Sequence, residues 1–77
     1  MNYTLTLTSG ALKDLNFISE DYTWAEIIQT NTQGNILTLS NMAAHEIMEA
    51  IKNEGLPSLN PNTALFKFMW SFIALIN

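Results

Sequence analysis

The sequence predicts an α+β fold, a three-stranded antiparallel sheet with two C-terminal helices packed on one face. Three observations carry it: strict alternation of apolar and threonine residues over Tyr3–Thr8, β-rich runs on either side of Gly34, and helical periodicity beyond Ser40. The 77 residues read as a single domain, residues 1–77, whose core is marginal in size. With 48% hydrophobic residues the chain has apolar surface to spare, so association is an expected route to stability.

The first element places Tyr3, Leu5 and Leu7 on one side and Thr4, Thr6 and Thr8 on the other, as in a half-buried strand with a solvated face. Ser9 and Gly10 end it. From Ala11 to Asp21 the pattern assigns no state: Leu12, Leu15 and Ile18 would line one side of a short helical turn, or the segment crosses the sheet edge.

Tyr22–Ser40 supports two readings. Tyr, Thr, Trp and Ile dominate, and Gly34 sits in a polar run before a clear strand at Ile36–Leu39, which favours a hairpin. A loop at Gln33-Gly34 would oppose Thr30 to Leu37 and Ile28 to Leu39, with Trp24, Ile28, Leu37 and Leu39 on one face. The competing reading is a short helix over Trp24–Thr30, for which Thr23 and Glu26 match a capping box.

Ser40 or Asn41 caps the next element, where Ala44, Ile47, Met48 and Ile51 form an i, i+3, i+4, i+7 stripe. Gly55 is placed as its C-cap, and Pro57 as the residue that prevents continuation. The last element is expected to start at Asn60-Pro61, an N-cap followed by proline at the first helical position. Between Ala64 and Ile76 only Lys67 and Ser71 are polar. On a wheel of about 100° per residue, Thr63, Ala64, Lys67, Ser71 and Ala74 make one narrow stripe. Leu65, Phe68, Phe72, Leu75 and Ile76 point in the expected core direction. Phe66, Trp70 and Ile73 form a second ridge, with Met69 between the two groups.

That ridge is either part of one core or an interface. The interface reading names Phe66, Met69, Trp70 and Ile73, because soluble chains rarely leave a large apolar patch open and tryptophan is enriched among binding hot spots. A second copy is the favoured occupant, making a homodimer, with another protein as the alternative. If the ridge is only surface and makes no contact, the sheet face bearing Thr4, Thr6 and Ile36 is the next candidate. A membrane partner is not expected, since an apolar run of 13 residues containing a lysine falls short of the roughly 20 needed to span.

Composition and motifs narrow the remaining classes. The absence of cysteine removes disulfides, thiolate chemistry and cysteine-based zinc sites. No basic segment precedes an apolar one at the N-terminus, so no signal peptide is visible and a cytoplasmic location is expected. Asn2-Tyr3-Thr4 fits a glycosylation pattern, a match read as accidental without a secretory signal. Seven acidic residues against three lysines and no arginine give a net charge of −4, which argues against direct binding of nucleic acid.

His45-Glu46-Ile47-Met48-Glu49 resembles half of a zinc-protease motif, but position 49 holds Glu where a second imidazole is required, and His45 is the only histidine. A weak two-ligand site at His45 and Glu49 is the most this segment would offer, and a solvated His45/Glu49 pair is the simpler account. Glu46 and Glu49 would share one solvent environment, which does not separate the two pKa values as acid/base catalysis needs. Glu20 and Asp21 offer no better pair, and Ser40 is already explained as a cap. The three glycines, at 10, 34 and 55, make no phosphate loop.

The expected function is therefore non-catalytic: a small acidic protein–protein interaction module without metal, cofactor or small-molecule substrate. Chains of this kind are common among phage or mobile-element inhibitors of host machinery, including anti-CRISPR-like proteins and antitoxins. The alternatives are a small structural subunit of a larger assembly and a weak metal or enzyme site around His45.

Overall fold

The computed structural model describes residues 2–76. Strand β1 (Asn2–Thr6) leads into helices α1 (Ser9–Ile18) and α2 (Thr23–Thr30), then the hairpin strands β2 (Thr32–Gln33) and β3 (Ile36–Ser40). Helix α3 (Asn41–Ala50) continues through a π-helical turn, Ile51–Gly55, into the short α4 (Leu56–Ser58), and α5 (Ala64–Ile76) closes the chain. The sheet is antiparallel in the order β1-β3-β2. Its alternation is the expected one: Leu37 and Leu39 are buried and Tyr3 and Leu5 partly so, while Thr4, Thr6 and Thr38 stay exposed. The helices therefore cover one face of the sheet.

The segment left without a state is a helix. Thr8 caps α1, its hydroxyl accepting from the Ala11 N–H at 3.1 Å, and Ala11 and Leu15 are buried with Leu12 and Ile18 flanking them.

The favoured long hairpin is corrected by the structure, because Thr23–Thr30 is helical and buries Trp24, Ala25 and Ile28. Trp24 and Ile28 are four residues apart, a spacing that shares a face in both a strand and a helix. The polar residues that follow decide between them. Thr30 and Thr32 hydroxyls donate to the carbonyls of Glu26 and Ile28, and the Asn31 amide donates to that of Ile27, all within 2.7–2.8 Å. Three side chains thus add to the bonds at the end of α2, where the Asn31 N–H already reaches the Ile27 and Ile28 carbonyls at 3.2 Å. The hairpin that remains pairs Thr32 with Leu37 and Gln33 with Ile36, around a turn of Gly34 and Asn35. Gly34 has φ +63°, in the left-handed region that glycine enters without steric cost. This register lies two residues from the expected one, so Leu37 and Leu39 keep their inward orientation.

Ser40 caps α3 by accepting from the Ala43 N–H at 3.2 Å, and Ala44, Ile47, Met48 and Ile51 are buried. Gly55 is not its C-cap. It has φ −64° and ψ −55°, and the helical path continues to Ser58. The glycine serves close approach instead: a Cβ there would lie 3.1 Å from Met69 Cε and 3.2 Å from Trp24 Cζ2. The π turn ends two residues before Pro57, whose ring would press on the Asn53 carbonyl in a regular α-helix.

Helix α5 starts three residues later than Asn60-Pro61 suggests. The Asn60 side chain accepts from the Asn62 N–H at 2.9 Å, a local turn that competes with helix formation. Thr63 then takes the capping role, accepting from the Phe66 N–H at 3.2 Å.

Candidate protein interface

Helix α5 presents a core face and two flanks. The core face consists of Leu65, Phe68, Met69, Phe72, Ile73 and Ile76, an arc of about 140° at 100° per residue. This corrects the expected direction. Met69 (0% exposed) and Ile73 (7%) are core, whereas Leu75, expected inside, is 51% exposed. Helix α1 lies against α5, and Met69 reaches towards Gly55 beside Trp24. A second wall therefore buries residues that a sheet alone would leave open.

On one flank the expected ridge is reduced to two residues. Trp70 is 54% exposed and Phe66 is half-buried. Their rings meet edge to face with centroids 6.4 Å apart and planes at 69°, a favoured aromatic geometry. Of the four residues named for an interface, Phe66 and Trp70 are available to a partner in this conformation, and Met69 and Ile73 are not.

The other flank faces β1, one of the two edge strands of the sheet. A groove of about 510 Å³ runs between them, lined by Thr4, Leu5, Thr6 and Thr8 and by Lys67, Phe68, Ser71 and Leu75 of α5. Successive strand residues point to opposite faces, so a groove lined by Thr4, Leu5 and Thr6 together follows the strand's edge. The polar stripe read from the sequence thus lines this groove through Lys67 and Ser71. The Leu7 N–H donates to Asn35 O at 2.8 Å, which fixes the hydrogen-bonding phase of β1. In an antiparallel ladder that phase alternates, so Tyr3, Leu5 and Leu7 bond towards β3. The N–H and C=O groups of Thr4 and Thr6 point to the open edge. Their side chains were legible as a solvated face, but their edge position requires knowing which strand is central.

His45, Glu46 and Glu49 are exposed on α3. His45 Nδ1 lies 2.8 Å from the Asn41 carbonyl oxygen, and since a carbonyl only accepts, this nitrogen carries the proton. The imidazole also leans on Tyr3, with centroids 6.5 Å apart. Glu46 borders a notch of about 250 Å³ with Glu54, Thr23 and Trp24. The Trp24 indole N–H has no hydrogen-bond partner among the described residues, yet Trp24 is only 2% exposed, which seals that donor from solvent. No group of three or more metal-ligating side chains occurs among the described residues, and no described helix is long and apolar enough to cross a membrane.

Comparison of the chain with protein-family models, curated protein sequences and solved structures finds no match.

Proposed function

We propose that this chain is a non-catalytic protein–protein interaction module that docks through the solvent side of α5, with a second copy on the Phe66/Trp70 flank. The half-exposed Trp70, braced by Phe66 and outside the core, carries the reading. A large aromatic held in one orientation loses little entropy on docking and offers area that water solvates poorly. One aromatic pair does not supply the roughly 800 Å² per partner of a standard interface, so the adjoining surface of α5 belongs to the contact. The narrower role of inhibitor of host machinery rests on chain size and acidity alone.

Trp70→Asp tests the reading. Its side chain lies outside the core, so the variant should unfold cooperatively at nearly the wild-type denaturant midpoint. Light scattering coupled to gel filtration should give a dimer mass for the wild type and a monomer mass for the variant. An unfolded variant would assign Trp70 to the core, and an unchanged mass with unchanged capture of partners from the native host would remove this flank from function. Insolubility of the wild type until a partner is co-expressed would favour the structural-subunit alternative.

A further inference from the structure

We infer that the groove between β1 and α5 binds an extended, acid-bearing segment of a partner protein by strand addition to the β1 edge. The inference rests on the interaction-module reading and supplies its second contact, on a different flank of α5.

The edge itself dictates the shape of the occupant. Thr4 and Thr6 offer two donors and two acceptors along an open edge, at the two-residue repeat of about 6.6 Å that another extended chain matches. No hydrogen bond among the described residues takes these groups up. Because the groove lies between strand and helix, an added strand would sit on β1 and against α5 together. Its alternate side chains would face the wall of Leu5, Phe68 and Leu75, and the others would lie beside the Thr4 and Thr6 side chains.

Charge narrows the occupant further. Lys67 is the only charged side chain lining the groove among the described residues, in a chain of net charge −4. A carboxylate on the incoming strand would meet that ammonium, a charge complementary to it. A second copy fits less well: Asn2–Thr6 carries no acidic side chain, and a symmetric edge pairing would bring two Lys67 side chains towards one another. The occupant is therefore an extended segment with apolar residues at alternate positions and at least one Asp or Glu.

The experiment selects random nonapeptides displayed on phage against the intact protein, then maps the tightest synthetic peptide by amide chemical shifts. Selected peptides should share alternating apolar residues and an acid, and shifts should concentrate at Thr4–Thr6 and Lys67–Ser71. N-methylation of the peptide amides that face β1 should weaken binding about tenfold or more, as expected for losing one or two interstrand hydrogen bonds, while methylation of the intervening amides should not. Lys67→Glu should weaken the same peptide and favour its Glu→Lys counterpart. This design leaves the protein backbone unaltered where it matters, so misfolding does not confuse the outcome.

Failure to enrich any peptide would overturn the inference, as would binding indifferent to both N-methylation and Lys67→Glu. A wild-type dimer whose contact maps to Thr4–Thr6 would put a second copy in the groove and overturn it too. Trp70→Asp separates the two proposals, since it should abolish self-association and leave peptide affinity unchanged. Loss of peptide binding with Trp70-dependent self-association intact removes the groove alone.

Discussion

The Asp14 carboxylate of α1 accepts a hydrogen bond from the Leu65 N–H at 3.3 Å, joining residues 51 apart in sequence at the first turn of α5. The amides of that turn have no partners within the helix, and the positive end of the helix dipole favours an anion there. Thr63 satisfies the Phe66 N–H locally, so Asp14 completes a cap shared by two elements. Asp14→Ala should lower stability by about 0.5–2 kcal/mol, the range for losing a helix cap. Asp14→Asn, which keeps an acceptor but loses the charge, should fall between the two. Urea denaturation monitored by far-ultraviolet circular dichroism checks both, and equal stability of all three proteins would contradict the role.

A second prediction concerns Gly55, where helix propensity and packing oppose one another. Replacing an exposed helical glycine by alanine gains up to about 1 kcal/mol. Here the added Cβ would stand 3.1 Å from Met69 Cε and 3.2 Å from Trp24 Cζ2, and overpacking costs about 1–3 kcal/mol. The Met69 methyl is the end of a flexible side chain, but the Trp24 ring is rigid and only 2% exposed, so it yields less readily. Gly55→Ala should therefore be destabilising, and Gly55→Asn more so. That order distinguishes this site from a left-handed helix cap, where Asn is the better tolerated of the two.

These two contacts also show what was legible in the sequence. Alternation over Tyr3–Thr8, the stripe Ala44/Ile47/Met48/Ile51 and the Gly34 turn gave the sheet and α3, because each signal is local and unambiguous in period. Tyr22–Thr30 was misleading because Trp24 and Ile28 share a face at either period, and because Thr30 and Thr32, of a type enriched in strands, here help Asn31 to end a helix. The core side of α5 could not be read because it depends on neighbours far away in sequence: α1 on one side, and Gly55 with Trp24 on the other. Of the candidate site, the exposed Trp70 was legible from the wheel. The groove was not, since it depends on β1 being an edge strand with α5 alongside.

A third prediction addresses His45, Glu46 and Glu49. All three are exposed, and the His45 ring is engaged with the Asn41 carbonyl and Tyr3. Alanine at each position should change stability by no more than about 0.5 kcal/mol, as for ordinary surface sites, and should leave self-association intact. Elemental analysis of protein purified without added metal gives the opposing result: stoichiometric zinc or another transition metal would restore the site reading around His45.

The last prediction compares three residues on α5 that the sequence ranked in the wrong order. Leu75 aligns with the expected core direction and Ile73 with the expected interface ridge, yet Leu75 is 51% exposed, Ile73 7% and Met69 0%. Removing buried aliphatic atoms forfeits both their transfer from water and the contacts around the cavity left behind, so Ile73→Ala and Met69→Ala should each cost about 2–5 kcal/mol. A domain of this size has little more than that to lose, and both variants should be largely unfolded at modest urea concentrations. Leu75→Ala removes a side chain that already meets solvent on the rim of the β1 groove, and should cost about 0.5 kcal/mol or less. The comparison is internal to one helix, which holds helix propensity nearly constant because all three end in alanine. If Leu75→Ala proved as damaging as Ile73→Ala, the rotation of α5 about its axis would have to change, and with it the assignment of Lys67 and Ser71 to the groove.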